Sequence, residues 1–424
     1  MKNVIEALRA NSRVSDYKVN VRRKESYELF FVKGKLETVR RTDVCEKEVT
    51  VYADHDEFRG DSQFFIYPST TEEDLRRLID EAADKALLIN NKHYTLPENE
   101  EGTFEIGSNF TEYEITDLAA LIAKTVFEAN TVSGGSLNSV EIFLARHTGT
   151  VLNSRGIHKT QVSWDAMVEA IPTYNGEAQS VELYEQYNFS RLDTETLRAE
   201  IAGKMEEVKA RYEAATPEAA INCPVIFNKQ ELSDLFRRIT GSLNFSTVYS
   251  RSNRFKKGDA IQKAPKGDRI GITMRGEVEG NIRSAKFDGD GLSLVDRRIV
   301  ENGVAVDYFG SSRFGQYLGE VPTGNLGCLC VDAGTAEDEI FTTGPYLEVI
   351  SMSGLQVDFY SDYIGGEVRL AYYHDGEKIT PVTGISVTGK LSEVMEDIRF
   401  SRATAVFNGY TGPAKAIISA MKIF

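Results

Sequence analysis

The sequence predicts an α+β protein in two parts, and two observations support this class. The first part alternates strand-period segments with amphipathic helices, and the second is dominated by strands joined by glycine turns. A chain of 424 residues, 41% hydrophobic by composition, is long enough for more than one core. The sequence pattern changes within the segment ATPEAAIN, from strands alternating with helices to mainly strands and glycine turns. We therefore predict an N-terminal α+β domain over 1–217 and a C-terminal β-rich domain over 218–424.

The N-terminal part predicts a duplicated layout of strands followed by a helix. Four strand-period segments precede a predicted helix over 69–90, which begins with the cap-like STTEED. A helix over 115–130 and a further set of strands then lead to a closing helix over 193–215. We therefore predict sub-modules of about 1–95 and 110–217, joined by an acidic, turn-rich loop.

The C-terminal part opens with a short strand and the segment QELSDLFRRITGSLN. Its apolar residues recur at i, i+3, i+4, i+7 and i+11, which places them on one face of a helix; they are Leu232, Leu235, Phe236, Ile239 and Leu243. Many strands with short connections follow, which predicts a large mixed or antiparallel sheet. The sequence therefore predicts that this helix buries its apolar face against the core of the C-terminal part.

Charge and cysteine content indicate where the protein works. The chain has 49 basic and 64 acidic side chains, a net charge of -15, which argues against direct capture of nucleic acid or of an anionic membrane. No apolar run reaches the roughly 18 residues of a membrane helix. Four cysteines do not form a disulfide framework, so we predict a cytoplasmic protein.

Most motifs that carry catalysis are missing. The five histidines lack the spacing of a zincin motif, and neither a Gly-x-Ser-x-Gly nor a Gly-x-Gly-x-x-Gly motif occurs. Cys328 and Cys330 are predicted as small core residues of one strand rather than as metal ligands. The acidic segments DHDE and FDGDGLS are predicted as turns rather than as cation sites. Trp164 and the aromatic residues of VDFYSDYIGG are predicted to lie in the core.

Several segments, in order, resemble the TldD/PmbA family, also named for modulation of DNA gyrase. In the C-terminal half these are FDGDGLSLVDRRIVENGVAVDYF, PTGN, GLQVDFYSDYIGGEV and ITPVTGISVTGKLSEVM. In the N-terminal half, KGKLETVRRTD and TTEEDLRRLIDEAADKA are similar to the family's opening domain. The resemblance spans nearly the whole chain, although the family's usual GDFS stretch is not matched here.

The resemblance implies one of two types of subunit. The TldD type is a zinc metallopeptidase with a His-Glu-x-x-x-His motif on a helix early in the C-terminal half. The TldE or PmbA type lacks that motif and associates with the first. If Gly241 matches the glycine before the second histidine, the motif falls on Arg237, Arg238 and Ser242, none of which is a suitable zinc ligand or base. No histidine lies between His158 and His374. We therefore predict no catalytic and no metal-binding residue, and zinc only in a partner.

The residues at the lost motif have two interpretations. Arg237, Arg238, Gly241 and Ser242 either line a cleft where relatives hold metal or belong to the solvated face of a helix, and the helical pattern favours the solvated face.

Three functional hypotheses follow from the resemblance and the missing motif. The first is a non-catalytic subunit that pairs with a TldD-like metallopeptidase acting on extended or unfolded peptides. The second is a stand-alone homodimer that binds peptides or proteins, whose glycine-rich, strand-rich C-terminal half would offer exposed edges for strand addition. The third is a metal-independent hydrolase that uses carboxylates or Cys328.

Overall fold

The structure, a computed structural model, describes residues 1–337, 341 and 343–424. The N-terminal half contains helices α1 to α4 and strands β1 to β8. Its helices are α1 (Lys2–Ala10), α2 (Glu72–Ala86), α3 (Ile115–Glu128) and α4 (Thr194–Glu213), with a 3-10 turn at Asn109–Glu112. Its strands are β1 (Asp16–Val32), β2 (Lys35–His55), β3 (Phe58–Ile66), β4 (Glu100–Glu105), β5 (Gly135–Asn153), β6 (Ile157–Asn175), β7 (Ser180–Glu182) and β8 (Glu185–Phe189).

The C-terminal half contains mostly short strands. Its helices are α5 (Lys229–Ser242), α6 (Phe245–Tyr249), α7 (Ser312–Leu318) and α8 (Leu391–Asp397). Its strands are β9 (Val225–Asn228), β10 (Ile272–Arg275), β11 (Arg297–Glu301), β12 (Val304–Ala305), β13 (Cys328–Val331), β14 (Tyr346–Met352), β15 (Gln356–Asp358), β16 (Tyr363–His374), β17 (Ile379–Val382), β18 (Ile385–Lys390), β19 (Arg399–Phe400), β20 (Thr404–Phe407), β21 (Tyr410–Pro413), β22 (Lys415–Ile418) and β23 (Lys422–Ile423). This confirms the predicted α+β class.

One sheet organises the N-terminal half. Its order is β3-β2-β1-β5-β6-β4, with β7 and β8 also paired to β6. Both predicted strands-then-helix units contribute to it, and α3 and α4 pack their apolar residues against its inner face. The sequence predicted four strands before α2, but the structure has three. Strands β1 and β2 each continue through a point where the prediction separated two strands, and the only reversal between them is a tight two-residue turn at Lys33 and Gly34, with φ angles of 49° and 76°.

Two sheets, rather than one, build the C-terminal half. A six-stranded sheet runs β12-β11-β10-β13-β21-β20, and a nine-stranded sheet contains the path β19-β22-β9-β14-β16-β18-β23. Parallel pairs such as β13 with β21 make both sheets mixed. Helix α5 contacts strands of both sheets, and its apolar residues join one shared core. The helix therefore fixes how the two sheets pack.

The predicted turns are present. Asp56, within DHDE, lies between β2 and β3 with φ 49°. In FDGDG, Gly291 has φ 82°, and Asp288 accepts hydrogen bonds from the backbone N–H of Asp290 and Leu292. Asn302, between β11 and β12, has φ 50°. No helix among the described residues is long and apolar enough to cross a membrane.

Candidate functional site

Helix α5 begins with a reciprocal cap. The side chain of Asn228 accepts a hydrogen bond from the third helical N–H, and the Glu231 carboxylate accepts one from the N–H of Asn228. Leu232, Leu235 and Phe236 are fully buried, and the ring of Phe236 lies 5.8 Å from that of Phe400. The prediction that this helix packs through its apolar face is confirmed.

Glu231 is the unusual member of that cap. It is 4% exposed, and burial raises the pKa of its carboxyl to about 7. A buried carboxylate is costly unless it is compensated. The cap at the start of α5 therefore contains a group that titrates near neutral pH.

The four residues at the lost motif lie on different sides of α5. Arg237, Arg238 and Gly241 are exposed, whereas Ser242 is 7% exposed. Residues five apart on an α-helix are about 140° apart around its axis. The Ser242 Oγ accepts hydrogen bonds from the backbone N–H of Arg254 at 2.7 Å and of Phe255 at 3.1 Å. Three of the four residues therefore lie on the exposed side of α5. Ser242 points inward and holds the backbone of the loop that contains Arg254 and Phe255.

Arg237 holds the turn between β20 and β21. Its Nε donates to the Oγ of Ser233 at 3.0 Å, and its Nη2 donates to the carbonyl of Asn408. Asn408 and Gly409 form this turn with φ angles of 46° and 90°. Burial, together with the charge of nearby Arg283, lowers the pKa of Arg237. The exposed side of α5 and this turn therefore lie next to each other, and we call the surface that they share the α5 cleft.

Residues of the N-terminal half also reach this cleft. The Nδ2 of Asn188, on β8, donates to the Oδ1 of Asn408 at 2.9 Å. Lys229, at the start of α5, pairs with Glu200 of α4. The cleft therefore lies where the two halves of the chain meet.

No metal centre is formed at this cleft. Within residues 1–337, 341 and 343–424, no group of three or more His, Cys, Asp or Glu side chains is arranged to hold a metal ion. Guanidinium groups occupy the motif positions 237 and 238, and they have no lone pair to donate to a metal.

A second cavity lies between the N-terminal sheet and the Asp288 turn. Its volume is about 620 Å³, and its lining includes Arg22, Arg23, His147 and Asp288. Asn20, another lining residue, is 6% exposed. Burial raises the pKa of the Asp288 carboxyl to about 6, with the charge of Asp290 adding to the shift.

The cysteines do not form a nucleophilic site. Cys328 is buried on β13, and burial raises the pKa of its thiol to about 11. A thiol of this pKa is protonated at neutral pH, whereas a nucleophilic cysteine needs the thiolate. The prediction of Cys328 as a small core residue of a strand is confirmed, and the hydrolase hypothesis receives no support from this thiol.

Sequence reasoning missed Arg283 and the Asn408 turn. Arg283 lies in a loop far from α5 in the chain, and the turn belongs to a hairpin with no motif of its own. Only the Asn-Gly pair at 408–409, a common hairpin signal, marks this turn in the sequence.

Helix α5 lies within the part of the chain that a known family model matches. Residues 220–424 match the family model described as the PmbA/TldA metallopeptidase C-terminal domain, so this half of the chain is a PmbA/TldD family domain. The metalloprotease PmbA homologue of Haemophilus influenzae is 25% identical over 183 residues, which are 41% of this chain and 40% of that protein. The metalloprotease PmbA of Escherichia coli O157:H7 is 24% identical over 186 residues, 42% of this chain and 41% of that protein. The match thus spans well under half the length of these relatives.

Two solved structures share the whole fold. One is a Thermotoga maritima protein described as a candidate modulator of a DNA gyrase, with a TM-score of 0.80, 15% identity and full coverage of both chains. The other is TldE from Thermococcus kodakarensis, with a TM-score of 0.80, 15% identity, and coverage of 100% of this chain and 99% of that one. At this identity the likeness establishes the fold alone. The resemblance to the TldD/PmbA family is confirmed.

Proposed function

We propose that this chain is a subunit without a metal of its own that pairs, in the cytoplasm, with a TldD-like zinc metallopeptidase. The complex would act in the maturation or degradation of extended or unfolded peptides. One observation carries the proposal: Arg237 and Arg238 stand at the exposed motif positions, and Ser242 is turned inward to hold a loop. A family domain with this helix supports a role in shaping a shared peptide chamber rather than in hydrolysis.

Native mass spectrometry of the tagged protein, purified gently from its own cells, tests the pairing. We expect a heteromer that carries about one zinc per TldD-like subunit, the stoichiometry of a single catalytic site. Arg238→Gln is a matched variant that should leave the zinc content of this heteromer unchanged. A metal-free homo-oligomer as the only species would contradict the proposal.

A specific surface favours a second candidate function, a homodimer that binds extended peptides. The part of β2 from Lys35 to Glu46 pairs with β1 on one edge, and no described strand pairs with its other edge. Leu36, Val39 and Val44 on this segment are about half exposed. An open edge of this kind accepts a strand by backbone hydrogen bonding. Retention of peptide by the purified chain, with no partner subunit present, would favour this function over the first.

Any effect on DNA gyrase would act through a peptide or protein intermediary, because the net charge of -15 disfavours DNA contact. DNA binding by the chain with a steep dependence on salt would contradict this view.

A further inference from the structure

Three arginines lie on or beside the exposed side of α5, and the side chains of two of them, Arg237 and Arg283, are close to each other. Arg237 and Arg238 come from the helix, and Arg283 comes from the loop between β10 and β11. A Cβ placed on Gly409 would lie 2.7 Å from the Cγ of Arg283 and 3.4 Å from the Nη2 of Arg237. These two side chains therefore face each other across a residue that has no side chain.

The position of Arg283 is fixed by its backbone. Its N–H donates to the Oδ1 of Asn281 at 3.0 Å, and the Nδ2 of Asn281 donates to the Oγ1 of Thr411 on β21 at 3.2 Å. Asn281 is 1% exposed, so this anchor is buried. The loop is thereby held against the same hairpin that Arg237 holds from the other side.

The charge at this place is not neutralised by the protein. In the described part of the chain, neither Arg238 nor Arg283 has a carboxylate within 4.0 Å, and the two hydrogen bonds of Arg237 go to neutral oxygens. Asp234, one turn earlier on α5, is the carboxylate whose charge acts on Arg237 and Arg238, but it forms no ion pair with either. Positive charges that lie close together without a counterion raise the affinity of the surface around them for an anion.

We propose that Arg237, Arg238 and Arg283 form a carboxylate-binding site that holds the C-terminal carboxylate of an extended peptide. Guanidinium groups bind carboxylates with two parallel hydrogen bonds, and no residue in the described part of the chain accepts a hydrogen bond from the side chain of Arg238 or Arg283. The carbonyl and amide groups of Asn188 and Asn408 line the approach and suit a peptide backbone. The identity of the ligand as a peptide rests on the proposed function, whereas the preference for an anion rests on the three arginines.

Fluorescence anisotropy with the isolated chain tests this site. The probe is a labelled, unstructured ten-residue peptide with a free C-terminal carboxylate, compared with the same peptide ending in an amide. We expect the free acid to bind about tenfold more tightly, the usual effect of a charge-assisted hydrogen bond. Arg283→Gln should abolish this preference. Arg76→Gln, which removes the same charge from an exposed position on α2, should keep it.

Three results would overturn the proposal. Equal binding of the two peptides, or no binding of either, would remove the carboxylate preference. A preference that survives in Arg283→Gln would place it elsewhere. Displacement of the peptide by inorganic phosphate, at an ionic strength where chloride has no effect, would assign the site to a small oxyanion. The composition of the native complex is measured separately, so loss of the carboxylate site leaves the pairing proposal standing, and the reverse also holds.

Discussion

Gly241 and Ser242 are neighbours in the sequence, but their substitution by alanine should have opposite effects on stability. Gly241 lies in the last turn of α5, and a Cβ added there meets no atom within 4 Å. Alanine is favoured over glycine within a helix by about 0.5–1 kcal/mol. We therefore expect Gly241→Ala to raise the free energy of unfolding by an amount within this range.

Ser242→Ala removes the acceptor for two backbone N–H groups. Those of Arg254 and Phe255 both donate to the Ser242 Oγ, and the N–H of Phe255 is buried. A buried donor left without a partner costs about 1–3 kcal/mol. We expect Ser242→Ala to lower the free energy of unfolding by this amount, and the loop at 252–256 to lose protection from hydrogen exchange.

Urea denaturation followed by circular dichroism measures both effects, with equal m-values as the condition for comparing midpoints. Hydrogen exchange read by mass spectrometry then shows whether the change is local to the loop at 252–256. If Ser242→Ala changes neither the urea midpoint nor the hydrogen exchange of this loop, Ser242 does not hold the loop. The structural role given to the Ser242 side chain would then be wrong. If Gly241→Ala destabilises the protein, the space beside this glycine is not free.

Three further predictions concern the same helix. Phe236→Ala should lower the free energy of unfolding by about 3–5 kcal/mol, because it empties a fully buried site; a loss below about 1 kcal/mol in urea denaturation would show that the site collapses. The raised pKa of Glu231, about 7, means that the contribution of this residue to stability is fully present below the ordinary glutamate pKa and is lost as pH rises through 7; Glu231→Gln should remove this contribution, on the order of 3 kcal/mol, from the pH profile, and parallel pH profiles would contradict the role of Glu231. Arg237→His, Arg238→Glu and Ser242→His combined should bind no zinc in a metal titration, because positions 237 and 242 are about 140° apart around the helix axis and position 242 is buried against the loop at 252–256; stoichiometric zinc would show that the two histidines can converge on one metal.

The sequence was sufficient for the class of fold and for the main elements, because these depend on local periodicity. The apolar spacing of α5 predicts its buried face correctly, and the segments DHDE and FDGDGLS are correctly predicted as turns. It was insufficient for the partition of the C-terminal strands into two sheets, since strand pairing is a non-local choice. The same limit applies to the cleft, because Arg237 and Arg283 come to lie beside Gly409 only after β10, β13 and β21 pair.

Asn408 takes part in two contacts that belong to different halves of the chain. Its backbone carbonyl accepts from Arg237 on α5, and its side chain accepts from Asn188 on β8. The contact with Arg237 lies within the C-terminal half, whereas the contact with Asn188 crosses to the N-terminal half. A rotation of one half relative to the other that carries Asn408 away from Asn188 would therefore break the second contact. The Asn188 hydrogen bond spans the boundary between the halves, so the breaking of this bond would report that the Asn408 hairpin has moved away from β8.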